Sequence, residues 1–410
     1  MKRDLVRLYY GFQSFFSLLL WIPIYYEYQK RIGLNDAQIF TIQSIYYTVF
    51  CLLEIPTGVL ADALGYRFSM RLGAIILVFA NALPIFFQNY SSFLLHFVLI
   101  ALSRSLISGA SSAYLYDGLK AQGADPALYK AVEGNARSYG LIAKVLIWPF
   151  IGYLMEWKLT FPYTLTVIGS AFAVICAFLL PPDQKPEVVK KGRGFGILRE
   201  LGELVFVLPR IPIIPLLMVQ GLGAFILPRI LQTNLFQPIL SGKGVAVSSF
   251  GVWLAVASVF EAAGSGYPAM KATLKRFSEW SAVSLLSLLL AVTLALIPLT
   301  AKVGTLASLM VFSLAAGMIF PVQRQLMNDA ITLSPEASRY RATVLSMESI
   351  FDRAVCAWVV GMIGVYMSRG KIDEFLYLSA GFCAVGVLIL TLVSKKITIA
   401  LTSNSRSSNS

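Results

Sequence analysis

Long apolar runs, each closed by a few polar or turn-forming residues, alternate along the whole chain. Twelve of them are long enough to be read as bilayer-crossing helices, which need about 20 apolar residues each. They lie near 5–28, 37–61, 70–88, 93–116, 131–155, 159–180, 211–236, 245–267, 280–300, 303–327, 342–367 and 374–394. One connection is long and polar. It runs from Pro181 through Lys190, Lys191, Gly192, Arg193 and Gly194 into an amphipathic stretch, 197–208. It follows the sixth run, so the pattern splits six plus six. The expectation is an all-α membrane protein with a helical bundle over 1–182, a cytoplasmic linker with an amphipathic helix over 183–209, a second bundle over 210–396 and a disordered tail over 397–410.

Composition sharpens this reading. The 410 residues are 57% hydrophobic and 13% charged, and the mean hydropathy is +0.72. The charged share is about half that of an average soluble chain. A cytosolic enzyme, a disordered protein and a disulfide-stapled module are excluded. A net charge of +13 would suggest nucleic acid in a soluble protein, but the charges follow the spans. With the N-terminus in the cytoplasm, about 22 of the 34 Lys and Arg fall on inner segments and about seven on outer ones. The asymmetry places both termini in the cytoplasm and leaves anionic lipid, not nucleic acid, as the partner of the excess charge. No small-residue cleavage site follows the first apolar run, so no removable leader is expected. Cys51, Cys176, Cys356 and Cys383 are widely spaced inside apolar stretches and read as small core residues. His96 is the one histidine, which argues against a metal site or Cys-His chemistry.

The halves carry a faint repeat. Tyr129-Lys130-Ala131 opens span five and Tyr340-Arg341-Ala342 opens span eleven, while Glu54 before Gly58 in span two is echoed by Glu261 before Gly264 in span eight. After span two stands Gly58-Val59-Leu60-Ala61-Asp62-Ala63-Leu64-Gly65-Tyr66-Arg67. Gly58 suits close helix approach, Gly65 a tight turn, and Asp62 the positive end of a helix. This loop resembles the signature loop of the major facilitator superfamily (Gly, three residues, Asp, basic, any, Gly, any, basic), in the position where that family has it. Gly58, Asp62, Gly65 and Arg67 match; Ala63 replaces a basic residue. Glu54-Ile55-Pro56-Thr57-Gly58, with Arg104 and Gly109 in span four, is similar to a bacterial subgroup of mostly unassigned substrate. Pro149 and Gly152 match the mark of the antiporter branch, with Trp148 in place of its glycine. The resemblance implies two six-helix bundles around a central cavity, a cytoplasmic gate in which Asp62 meets the start of span eleven near Arg341, and a bacterial inner-membrane location. Protons, a small-molecule substrate and membrane lipids are the expected partners, with no cofactor and a monomeric state.

Ionisable residues within spans cost at least ~2.5–3.5 kcal/mol each, so they are the candidate functional groups. Glu54 and Glu261 are proton-coupling candidates, or else buried carboxyls bonded to neighbouring helices. Arg104 pairs with Glu54 or tunes a nearby acid. Lys144 and Arg229 suit an anionic substrate, unless Arg229 snorkels to the interface. Glu348 and Asp352 share a helix face, with Arg353 placed to neutralise one of them; Glu133 and Arg137 are spaced as a structural i, i+4 pair. Tyr9, Phe12 and Phe16 form one face of span one, with Tyr47 repeating the theme on span two. They are read as an aromatic lining for an amphiphilic substrate or as lipid-facing rings. No phosphate-cradling loop (Gly, four residues, Gly-Lys-Ser/Thr) occurs, which leaves ion gradients as the energy source. The leading expectation is proton-coupled efflux of a small amphiphile by alternating access; the alternative is proton-coupled uptake of a small organic anion or nutrient. A membrane enzyme lacks any nucleophile or metal constellation in this sequence.

Overall fold

A computed structural model of the chain describes residues 2–183, 211, 213–266, 278–333 and 341–407. The described residues are helical throughout their ordered elements and contain no strand. Eleven helices among them are long and apolar enough to cross a membrane. Large apolar side chains such as Phe79, Phe150, Phe172 and Phe382 face outward, which suits a lipid surface and would be a liability in water. The expected linker, 183–209, lies outside the described residues apart from Asp183.

The first stretch differs from expectation. Hydropathy predicts one span over 5–28, but the chain forms α1 (Lys2–Ser17) and a short α2 (Tyr25–Arg31) with a break between them. Pro23 lies in the break and has no N–H to give a helix. The backbone groups it frees are met by side chains. Thr166 Oγ1 accepts from the Leu20 N–H at 3.1 Å. Gln237 donates to the Ile22 carbonyl at 2.8 Å and accepts from the Tyr26 N–H at 3.0 Å. Broken backbone is tolerated in apolar surroundings where protein answers it in this way.

The remaining helices follow the predicted order. α3 (Asp36–Leu64) starts in a capping box, with Asn35 and Gln38 each accepting from the other's N–H. α4 (Tyr66–Phe86) follows across Gly65. The predicted fourth span is α5 (Tyr90–Ser108) and α6 (Ala110–Ala121), interrupted at Gly109. Then come α7 (Pro126–Trp157), α8 (Phe161–Leu179) and α9 (Ile213–Gly221). The seventh span continues through two π turns, Leu222–Ile226 and Leu231–Leu235, on either side of α10 (Leu227–Ile230), and ends in α11 (Phe236–Gly242). α12 (Phe250–Gly266), α13 (Glu279–Leu299), α14 (Lys302–Leu333), α15 (Arg341–Ser368) and α16 (Ile372–Ser407) complete the chain. The backbone of α16 continues through most of the tail expected to be disordered, because extending a formed helix costs far less than nucleating one.

Contacts divide the described residues into two compact units. The first contains those of Met1–Leu201, Thr233–Ala255 and Ser349–Ser368. Its core joins α1, α4, α6, α7 and α8 through Leu5, Tyr9, Phe12, Met70, Leu115 and Ala173. α4 and α5 pack closely because Ser103 donates to the Gly73 carbonyl at 2.7 Å and Ser69 to the Leu106 carbonyl at 2.8 Å. α7 is in near backbone contact with the start of α12: a Cβ on Gly251 would strike the Trp148 carbonyl, and one on Gly152 the carbonyls of Val247 and Ser248. The second unit contains the described residues of Gly202–Gln232, Val256–Glu348 and Arg369–Ser410. There α12 and α14 approach through Gly264, against the Leu314 carbonyl, and Gly317, against that of Glu261.

Glycine therefore acts differently at matched positions. Gly264 is a contact residue, whereas Gly58, expected to allow close approach, has open space where its Cβ would be. Gly251→Val is expected to destabilise the purified protein by about 1–3 kcal/mol through overpacking, and Gly58→Ala to leave it unchanged or stabilise it by about 0.5–1 kcal/mol. Thermal unfolding in detergent checks both.

Candidate substrate cavity

The first unit holds a partly open cavity of about 490 Å³. Helical periodicity builds its walls. Glu133, Arg137, Gly140 and Lys144 fall at i, i+4, i+7 and i+11 along α7, one face of a helix. Arg104, Ile107, Ser108 and Ser111 do the same across the α5–α6 break, and Gln13, Phe16 and Ser17 face inward from α1. Arg353 of α15 completes the lining.

Glu54 is bonded to a residue of the cavity lining, Arg353. Arg353 Nε donates to its Oε2 at 3.1 Å, and Ser349 Oγ to its Oε1 at 3.2 Å. The Arg353 guanidinium also covers the Phe50 ring at 3.6 Å from its centre. Phe50 and Glu54 are i, i+4 on α3, and Ser349 and Arg353 are i, i+4 on α15, so two one-turn faces meet. The expected pairing of Arg104 with Glu54 is not found: Arg104 reaches the Tyr46 hydroxyl at 3.4 Å instead. Glu133 accepts from the Tyr9 hydroxyl at 2.7 Å and from Ser112 at 3.0 Å, and lies 3.8 Å from Arg137. This carboxylate, expected to be merely structural, is part of the cavity wall.

The aromatic face of span one divides. Phe16 lines the cavity, but Tyr9 and Phe12 are fully buried in the bundle core. Each small helix must bury its apolar stripe against its neighbours, and these two rings supply that stripe. Tyr47 is buried too, with its hydroxyl 3.4 Å from the Asn234 side chain. The Tyr25 hydroxyl donates to the Thr233 carbonyl at 2.9 Å, within the second π turn. His96 packs against Trp21 and Tyr163, with Nδ1 at 2.7 Å from the Ala80 carbonyl.

The second unit holds Glu348, Glu261 and Arg229. Glu348 is 1% exposed, and the cation that answers it is Arg324 at 2.7 Å rather than Arg353. Arg324 also lies over the rings of Phe225 and Phe320. Glu261 accepts from Gln232 at 2.9 Å. Arg229 lies half-buried between the two π turns. Asp352, four residues after Glu348, is buried in the first unit.

At the signature loop, Gly65 takes φ +99°, a turn that side chains resist. Asp62 accepts from the Tyr66 hydroxyl at 3.4 Å. The carboxylate that meets a helix N-terminus here is a different one, Asp183, which accepts from the Arg67 N–H at 3.0 Å at the start of α4. The guanidinium groups of Arg67 and Arg71 donate to the Phe178 carbonyl at 2.8 and 3.0 Å, tying the end of α8 to the same corner. The side chain of Arg341 lies outside the described residues, as does Tyr340. Sequence reasoning missed Asp183; its position straight after Pro181-Pro182, where a helix must end, was the available signal.

Residues 8–351 match the family described as Major Facilitator Superfamily, and the chain belongs to it. Comparison with curated proteins finds no match. Solved structures share the fold. A point mutant of the nucleoside transporter NupG superposes with a TM-score of 0.72 at 15% identity, covering 94% of this chain and 99% of its own. A mutant of the peptide transporter POT, in complex with sulfate, gives 0.71 at 15% identity over 97% and 95%. A POT family transporter in complex with a thioalcohol-conjugated peptide gives 0.69 at 15% identity over 96% of each chain. The chain is thus an integral membrane transporter of this superfamily, not an enzyme.

Asp183→Ala removes the carboxylate at the α4 N-terminus and is expected to destabilise the protein by about 1–2 kcal/mol, while Asp183→Asn retains most of that stability. The midpoints of thermal unfolding in detergent distinguish the two.

Proposed function

We propose that this chain is a proton-coupled secondary active transporter that moves a small molecule by alternating access, as a monomer in the bacterial cytoplasmic membrane with both termini cytoplasmic. The two halves of the sequence are its moving parts. The observation that carries the reading is the bond between Glu54 on α3 and Arg353 on α15, beside the cavity. Ionised Glu54 holds Arg353; a proton on Glu54 removes the charge. A hydrogen bond to a charged group contributes about 1.5–3 kcal/mol. Losing it shifts a two-state equilibrium at least tenfold. Arg353 also lines the cavity, so the same event frees a cation to meet cargo.

Uptake by symport is the direction the cavity supports. The aromatic face that favoured efflux contributes Phe16 alone, and Gly152 of the antiporter-like mark lies against the backbone of Val247 and Ser248. Lys144, which suits an anionic substrate, lines the cavity together with Arg104.

In proteoliposomes, Glu54→Gln is expected to abolish proton-driven accumulation while sparing counterflow. Full gradient-driven transport by this variant would remove Glu54 from the mechanism, and its loss in Glu261→Gln alone would transfer the role to Glu261. Accumulation in inside-out rather than right-side-out vesicles would reverse the direction. A tag on either terminus is expected to be cleaved by added protease in inside-out vesicles and protected in right-side-out ones.

A further inference from the structure

Four cations line the cavity: Arg104, Arg137, Lys144 and Arg353. Two have carboxylate partners, Arg137 with Glu133 and Arg353 with Glu54. Among the described residues, no carboxylate lies within salt-bridge distance of Arg104 or Lys144. Glu133, the acid in the same wall, already accepts from Tyr9 and Ser112. Arg104 and Lys144 share this one lining, so like charges face the same space. Each unanswered charge within an apolar span is expensive, and two of one sign in one cavity cost more than either alone. The neutral groups around them, Ser108, Ser111 and Gln13, donate hydrogen bonds but add no negative charge. Apolar side chains, Phe16, Leu19 and Leu77, share the lining.

We propose that Arg104 and Lys144 form an anion cradle, and that the cargo is a small organic anion with a carboxylate or phosphate at one end and an apolar body at the other. The proposal rests on reading the cavity as the transport site. The guanidinium presents a planar fork that fits either oxyanion, and the ammonium adds a point charge. A volume of about 490 Å³ lies within the range of small-molecule sites. The charge also explains the need for protons. Moving one negative charge into a cell against its potential costs about 2.3 kcal/mol per 100 mV, and co-transported protons cancel that term.

The test uses purified full-length protein and a panel of carboxylates and phosphate monoesters, from acetate and phenylacetate to glycerol phosphate, each with its amide or alcohol counterpart. Thermal stabilisation in detergent and counterflow in proteoliposomes are measured. Charged members are expected to bind and their uncharged counterparts not to. Arg104→Gln and Lys144→Gln should each weaken binding about tenfold or more, with partial recovery in Arg104→Lys. Phenylglyoxal labelling of Arg104 in the unaltered chain, mapped by mass spectrometry, should be slowed by the binding anions and not by the amides. That readout stands even where a variant fails to elute as a single species. Binding of uncharged or cationic members alone, no binding by any anion, or anion binding unchanged in the double variant overturns the proposal. Proton-linked counterflow of a neutral solute would leave the transport reading standing and remove the cradle. Anion binding with no proton-linked flux would do the reverse.

Discussion

An ionised side chain among apolar helices has to find an opposite charge or a set of donors, because hydrocarbon offers neither. That constraint organises both units. Glu54 has Arg353 and Ser349, Glu348 has Arg324, and Glu133 has a tyrosine, a serine and an arginine. Each set joins separate helices, so the same bonds that make a charge tolerable also fix which helices are neighbours. The cost of a buried pair does not vanish: it is repaid only while the geometry holds, which makes such a pair sensitive to one proton.

Backbone obeys the same rule. The break after α1 survives because Thr166 and Gln237 answer the groups it frees. Bending the seventh span takes two π turns around Pro228. Such irregular segments have fewer internal bonds to lose than a continuous helix, and π turns often occur at functional positions. In this chain they flank Arg229, and the second contains Thr233 and Asn234, whose polar groups meet Tyr25 and Tyr47.

Cavity, pair and break lie close together in the first unit. Arg353 lines the cavity and holds Glu54, while Gln13 lines it and donates to Tyr9, which donates to Glu133. The proposed mechanism depends on this economy: a group that takes up a proton and a group that meets cargo bias each other most directly when they are linked within one or two bonds.

Hydropathy and spacing determined the class of this protein. Apolar runs of bilayer length, a signature loop with Gly65 and Arg67, and polar positions at helical intervals on α7 are properties of contiguous residues, and they are legible without a fold. The i, i+4 and i+11 spacing of Glu133, Arg137 and Lys144 could be read in this way. Which charges meet could not. Glu54 and Arg353 are 299 residues apart, and Glu348 is met by Arg324, 24 residues away, rather than by Arg353, which is much nearer to it along the chain. The burial of Tyr9 and Phe12 was equally hidden, since an aromatic stripe reads the same whether it faces a cavity, lipid or a neighbouring helix. Local pattern sets what each helix must hide; only packing decides against which partner it is hidden, because that depends on the position of every other helix at once.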